Sequence, residues 1–160
     1  MLYSFLESIK FTAHIFPLAV FRIGIGSYFL NQSIDKLNTN YLVTPQLART
    51  LNELLNSSHA SVNFKYLISE AIIPSWQFFA YLLFFIQLFI GFSFVSGFLV
   101  RVSSFFGIIL CIFYLLMDVA SITPFYQILL LSFISMGFIG AGRCLGADYF
   151  FYKRYNGWLW

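Results

Sequence analysis

Four long apolar runs, divided by short polar breaks and one long polar stretch, predict the architecture of this chain. The first runs from about Ile15 to Asn31 and continues as helix to Leu37, with Pro17 in its first turn, where a missing amide proton does least harm. The second opens after Pro74 and covers about 75–99; the third covers about 103–122, and the fourth about 124–141. Runs of this length and apolarity have to satisfy their backbone groups internally if they lie in lipid, so all four are read as helices. The stretch 38–74 is polar and too long to be a mere connection. Within it "TPQLARTLNELL" carries a helix signature: Thr44 as N-cap, Pro45 in the first position, and Leu47, Leu51, Leu54 and Leu55 on one stripe. "NSSHAS" ends it.

Composition turns this pattern into a membrane assignment. Only 9% of the 160 residues are charged, whereas 60% are hydrophobic, and a soluble domain usually has about a quarter charged. Too few polar side chains exist to cover a globule in water. The expectation is therefore an all-α membrane protein, a single domain over 1–160, built as an antiparallel four-helix transmembrane bundle. The segment 38–74 caps its outer face with a helix near 45–55, and interfacial helices flank the bundle. At the N-terminus Leu2, Phe5, Leu6 and Ile9 fall at helical spacing, and Glu7 together with the absence of a small-residue cleavage site argues against a removed signal peptide. At the other end "DYFFYKRYNGWLW" fits an anchor at headgroup level.

The net charge of +3 includes no run dense enough for nucleic acid. Basic residues do set an orientation. With a cytoplasmic N-terminus, Lys10, Arg101, Arg143, Lys153 and Arg154 lie inside and Arg22 near that face, whereas Lys36, Arg49 and Lys65 lie outside. The positive-inside rule then places both termini in the cytoplasm of a bacterial or archaeal inner membrane or an equivalent energy-transducing membrane.

A charged residue in the middle of a span costs roughly 2.5–3.5 kcal/mol on insertion scales, so Arg22 and Asp118 need explanations, and Lys36 lies at the outer end of the first helix. Lys36 and Asp118 share the outer portion and are expected to pair. Gln87, near the middle of the second span, suits either a helix–helix hydrogen bond or a ligand contact. Arg22 is expected to bond Asp148 or the last carbonyls of the fourth span, so that "GAGRCLGAD" (residues 140–148) clasps the last helix to the first. Ser103, Gly107 and Cys111 recur every four residues, as do Gly137 and Ala141, and Gly91 joins them as a small residue that lets helices approach. Cys111 and Cys144 read as packing residues and the phenylalanines as lipid-facing or core. His14 and His59 fall on opposite faces and cannot share a haem. No cysteine cluster, nucleotide loop or metal-ligand spacing occurs, so no metal and no covalent cofactor is expected.

The segment "RIGIGSYFLNQSIDKL" resembles the first-helix pattern of the DoxX/DoxD family of small membrane proteins, with Arg22, Gly26, Phe29, Leu30, Lys36 and Leu37 in register. "QLFIGFSFVSGFLVR" is similar to its second-helix segment, carrying Gly91, Gly97 and Arg101, and "GAGRCLGAD" to its closing motif of Gly142, Arg143, Gly146 and Asp148. Two positions depart from the pattern: Gln87 stands where the family usually has a glutamate, and Ser33 where it usually has a glycine. The long first loop is similar to that of the DoxD branch, described as the membrane subunit of a thiosulfate:quinone oxidoreductase. The resemblance implies a quinone-pool partner and a second protein subunit. Two functions follow as expectations. The first is an integral membrane subunit passing electrons from a sulfur compound or thiol to quinone, with Tyr28, Tyr81, Gln87 and Tyr114 as candidate quinone contacts. The second is a non-catalytic accessory subunit packed against a larger respiratory or photosynthetic complex.

Overall fold

The computed structural model describes residues 16–139, and every element among them is helical. Six α-helices follow one another: α1 (Phe16–Asn38), α2 (Gln46–Ser57), α3 (Val62–Leu67), α4 (Trp76–Ser96), α5 (Val100–Leu116) and α6 (Thr123–Ile139). A π-helical turn, Ile68–Ile72, continues α3. Helix α4 is long and apolar enough to cross a membrane. Helices α5 and α6 are apolar but have 17 residues each, about 25 Å at 1.5 Å per residue. Helix α1 has the length, with 23 residues, but Arg22, Asn31, Gln32, Asp35 and Lys36 dilute its apolarity.

The ends of these helices have local causes. Gly97, with φ of 69°, stops α4, and both its amide and that of Phe98 return to the Ser93 carbonyl, a glycine cap on orphan carbonyls. After Leu99 the chain enters α5 directly, so the third apolar run begins earlier than the pattern predicts. It also ends earlier. Helix α5 stops at Leu116, and Asp118, expected inside that span, instead lies in the following turn with φ of 46°. Pro124 occupies the first turn of α6, where its missing donor costs nothing.

Helix α1 packs along α4, α4 against α5, and α5 against α6. The apolar core gathers Ile25 and Phe29 of α1, Ile90 and Phe94 of α4, Leu110 and Cys111 of α5, and Leu129, Phe133 and Met136 of α6. Phe133 is its hub. Its ring centroid lies 5.7 Å from that of Phe29 and 5.3 Å from that of Phe94, and a Cβ added to Gly107 would meet the ring at 2.6 Å. Gly26 and Gly91 play the same part between α1 and α4: a Cβ on Gly91 would fall 2.8 Å from the Leu30 backbone nitrogen, and one on Gly26 2.9 Å from that of Val95. Ser103, Ser104 and Cys111 are buried on the face of α5 that carries Gly107. The small residues therefore mark the helix contacts, as their spacing predicts.

The segment between α1 and α4 is folded. Helix α2 buries Leu47 and Leu51, which join Ile68, Ile72, Ala80, Met117 and Val119 in a second apolar cluster. The expected helix near 45–55 is present, but its cap differs. Pro45 is the N-cap residue, and the Thr44 hydroxyl donates backwards to the Asn40 carbonyl at 2.9 Å. Thr44 lies within the turn that closes α1, in which Asn40 adopts φ of 53°, a left-handed conformation that asparagine tolerates. The cap is tied to the bundle by backbone: the His59 amide donates to the Asp118 carbonyl at 3.2 Å. Lys65 donates to the Ser58 carbonyl at 2.8 Å and so holds α3 against the end of α2.

Candidate functional site

Three polar residues of α1 lie on one stripe. Tyr28, Gln32 and Lys36 are four residues apart, hence successive neighbours on one face. Opposite them α4 presents Gln87, only 1% exposed. The Lys36 ammonium donates to Gln87 Oε1, Gln87 Nε2 donates to Gln32 Oε1 at 3.1 Å, and Gln32 Nε2 donates to the Tyr28 hydroxyl at 2.6 Å. A buried amide left unpaired would cost about 1–3 kcal/mol; here both ends of Gln87 are satisfied. The chain of bonds fixes its orientation, carbonyl towards the ammonium.

Aromatic rings frame this chain. Tyr41, from the turn after α1, lies with its ring centroid 5.3 Å from Lys36 Nζ, a cation–π distance. Burial pushes the Tyr41 phenol well above its ordinary range, and the neighbouring Tyr114 adds to the shift. Tyr41 therefore stays a neutral hydroxyl. Tyr114 of α5 and Tyr126 of α6 stack with centroids 4.4 Å apart and planes 11° from parallel. Tyr28, 37% exposed, sets its ring against Phe125, with 5.4 Å between centroids. The site is thus a polar file between α1 and α4, roofed by the turn after α1. It reaches the protein surface at Tyr28 and Phe125.

Four of the candidate residues converge here. Tyr28, Lys36, Gln87 and Tyr114 belong to the site. Tyr81 does not, because at 40% exposure it points outward from α4. The expected Lys36–Asp118 ion pair is not formed: the ammonium goes to Gln87, while Asp118 is exposed and contributes its carbonyl to the cap. Gln32, Tyr41 and Tyr126 are members that the sequence reading passed over. The signal for Gln32 was available in its four-residue spacing from both Tyr28 and Lys36. Arg22 is 1% exposed, as a clasp residue must be, but Gly142, Arg143, Gly146 and Asp148 lie outside the described residues, as does His14. Among the described residues no group of histidine, cysteine or carboxylate side chains could hold a metal, and Cys111 is buried as a free thiol.

Against known proteins, the family model of DoxX matches residues 18–117. That interval contains the whole stripe from Tyr28 to Lys36, the turn with Tyr41, Gln87 and Tyr114. No curated protein and no solved structure matches the chain at a significant level.

Proposed function

Because the chain belongs to the DoxX family of membrane proteins, we propose that it is an integral membrane subunit of quinone-linked electron transfer, with the quinone head received at the Lys36–Gln87 file. One observation carries this reading: an ammonium, two amides and a phenol are hydrogen-bonded in sequence on two apolar helices, beside stacked aromatic rings. A quinone needs such a site, with hydrogen-bond donors for its carbonyls and flat apolar walls for its ring. Its electrons come from a partner subunit that handles a sulfur compound or thiol, and this chain supplies the place of exchange with the membrane pool. The proposed frame is the antiparallel four-helix bundle of α1, α4, α5 and α6, spanning an energy-transducing membrane with both termini cytoplasmic. The contacts of α1 with α4, α4 with α5 and α5 with α6 support it.

A second reading, a non-catalytic accessory subunit, draws on one other feature. Phe78, Phe85 and Phe92 are exposed seven residues apart along α4, a stripe that suits a partner helix as well as acyl chains. One preparation separates the two. The protein is purified in mild detergent, bound quinone is extracted and identified, and a soluble quinone analogue is titrated by fluorescence quenching. The first reading expects saturable binding that Lys36→Met weakens at least tenfold in protein that is still folded by circular dichroism. Co-purification with a large complex and no saturable quinone binding would replace it with the second.

A further inference from the structure

We infer that the Lys36 site is built for an amphiphile whose polar end is an oxyanion, an ionised enol, phenol, carboxylate or phosphate on an apolar body. The inference rests on reading the polar file as a ligand site and adds the charge of its occupant.

The charge balance of the site carries it. Lys36 is the one cation of the file, and its contacts are neutral, the Gln87 amide and the Tyr41 ring; the file continues through neutral groups, Gln32 and the Tyr28 phenol, and Tyr114, stacked on Tyr126, neighbours Tyr41. Lys36 forms no ion pair among the described residues. Asp35, beside it in sequence, and Asp118, its expected partner, are exposed. Gln87 cannot supply the missing charge. Its oxygen accepts a hydrogen bond from the ammonium but leaves the net charge at this depth uncompensated, and the bond from Gln87 Nε2 to Gln32 holds the amide in that orientation. An ammonium has three protons to give, and the one directed at Gln87 is the only one that a described side chain accepts. In a low-dielectric setting an unneutralised cation attracts an anion far more strongly than it would in water.

The second part, an apolar body, comes from where the site opens. The file reaches the surface at Tyr28 and Phe125, which are 37% and 44% exposed and in edge contact. On the other side the turn after α1 and its Tyr41 cover Lys36. Entry is therefore from the apolar flank of the bundle rather than through its cap, and a hydrated inorganic anion would have to shed its water to use that route.

The test uses full-length protein in neutral detergent and two probes of nearly equal shape: an alkyl-tailed hydroxynaphthoquinone, ionised at neutral pH, and its uncharged methyl ether. The ionised probe is expected to bind at least about tenfold more tightly, about 1.4 kcal/mol. Gln87→Glu, which sets a carboxylate against Lys36, should bring that ratio to about one, as should Lys36→Met. Should either variant fail to fold by circular dichroism, the wild-type protein still decides, because lowering the pH through the probe's own ionisation must abolish the preference. Competition with an anionic phospholipid identifies the source of the oxyanion: displacement assigns the site to a lipid phosphate, and indifference to a bilayer-soluble acid. Equal affinity for the two probes, with binding still dependent on Lys36, overturns the anion assignment and leaves the quinone site standing. Binding of neither probe in a Lys36-dependent manner overturns both.

Discussion

Helices α1 and α4 meet twice, in opposite ways. At the level of Gly26 and Gly91 they close until backbone touches side chain, with Leu30, Phe94 and Val95 filling the contact. One turn along, at Lys36, Gln32 and Gln87, the same two helices hold an ammonium and two amides. The dry contact works by shape and the polar one by pairing, and the first makes the second possible. Glycine at 91 fixes how far apart the helices run, and that separation brings Gln87 within reach of both Gln32 and Lys36. Phe133, wedged among Phe29, Phe94 and Gly107, holds the far side of the dry region. The pairing therefore depends on packing elsewhere, whereas the packing does not depend on the pairing.

That asymmetry can be broken by experiment. Phe133→Ala removes the ring shared by four helices and should cost about 3–5 kcal/mol of stability, measured by unfolding in detergent; a loss below about 1 kcal/mol would show that Phe133 is not the hub. Gly91→Val forces α1 away from α4 and should cost about 1–3 kcal/mol. Leu30→Ala should restore only part of it, because the Leu30 backbone nitrogen remains in the way. If Gly91→Val leaves ligand binding at Lys36 intact, the dependence of the polar contact on the dry one is wrong. Gln87→Leu leaves Lys36 and Gln32 without their shared partner and should cost about 1–3 kcal/mol, part of which the added Lys36→Met change recovers. No recovery in the double variant would mean that the two side chains are not coupled. The smallest effect belongs to the rim. Asp118→Gly relieves a left-handed residue at an exposed turn and should raise stability by about 1 kcal/mol, seen as a melting point a few degrees higher. A fall instead would show that the Asp118 side chain has a role its exposure hides.

Much of this was legible in the chain. The helices followed from apolar runs and their punctuation: Pro74 ahead of α4, Pro124 at the start of α6, and the leucine stripe for α2; the stop of α4 at Gly97 was not read, because the second run stays apolar to Leu99. Small residues foretold the helix contacts. The partner of Lys36 was not legible, because a bond to a residue 51 positions away depends on the rotation of two helices that no local pattern specifies. Depth alone favoured Asp118, and depth was misjudged because α5 ends before that residue. Helix α3 and its π-helical turn were not predicted, although Phe64, Ile68 and Ile72 recur every four residues, because the segment is short and follows the helix-breaking "NSSHAS". Ile68 and Ile72 count only once Met117 and Val119 lie against them.

That last contact has a consequence for how the protein is made. Leu47 and Leu51 leave the ribosome well before Met117 and Val119, the residues that cover them. Until the third long helix has been synthesised, the leucine stripe of the cap lacks two of its five buried partners and the Asp118 carbonyl is not there to receive the His59 amide. The cap must wait for the later part of the chain. Contacts so distant in sequence form late, and a segment holding its apolar face open in the meantime is where chaperones or proteases act first. Biogenesis thus turns on the turn at Met117–Val119, which closes the cap, and with it Tyr41 over Lys36, only when most of the molecule is already in place.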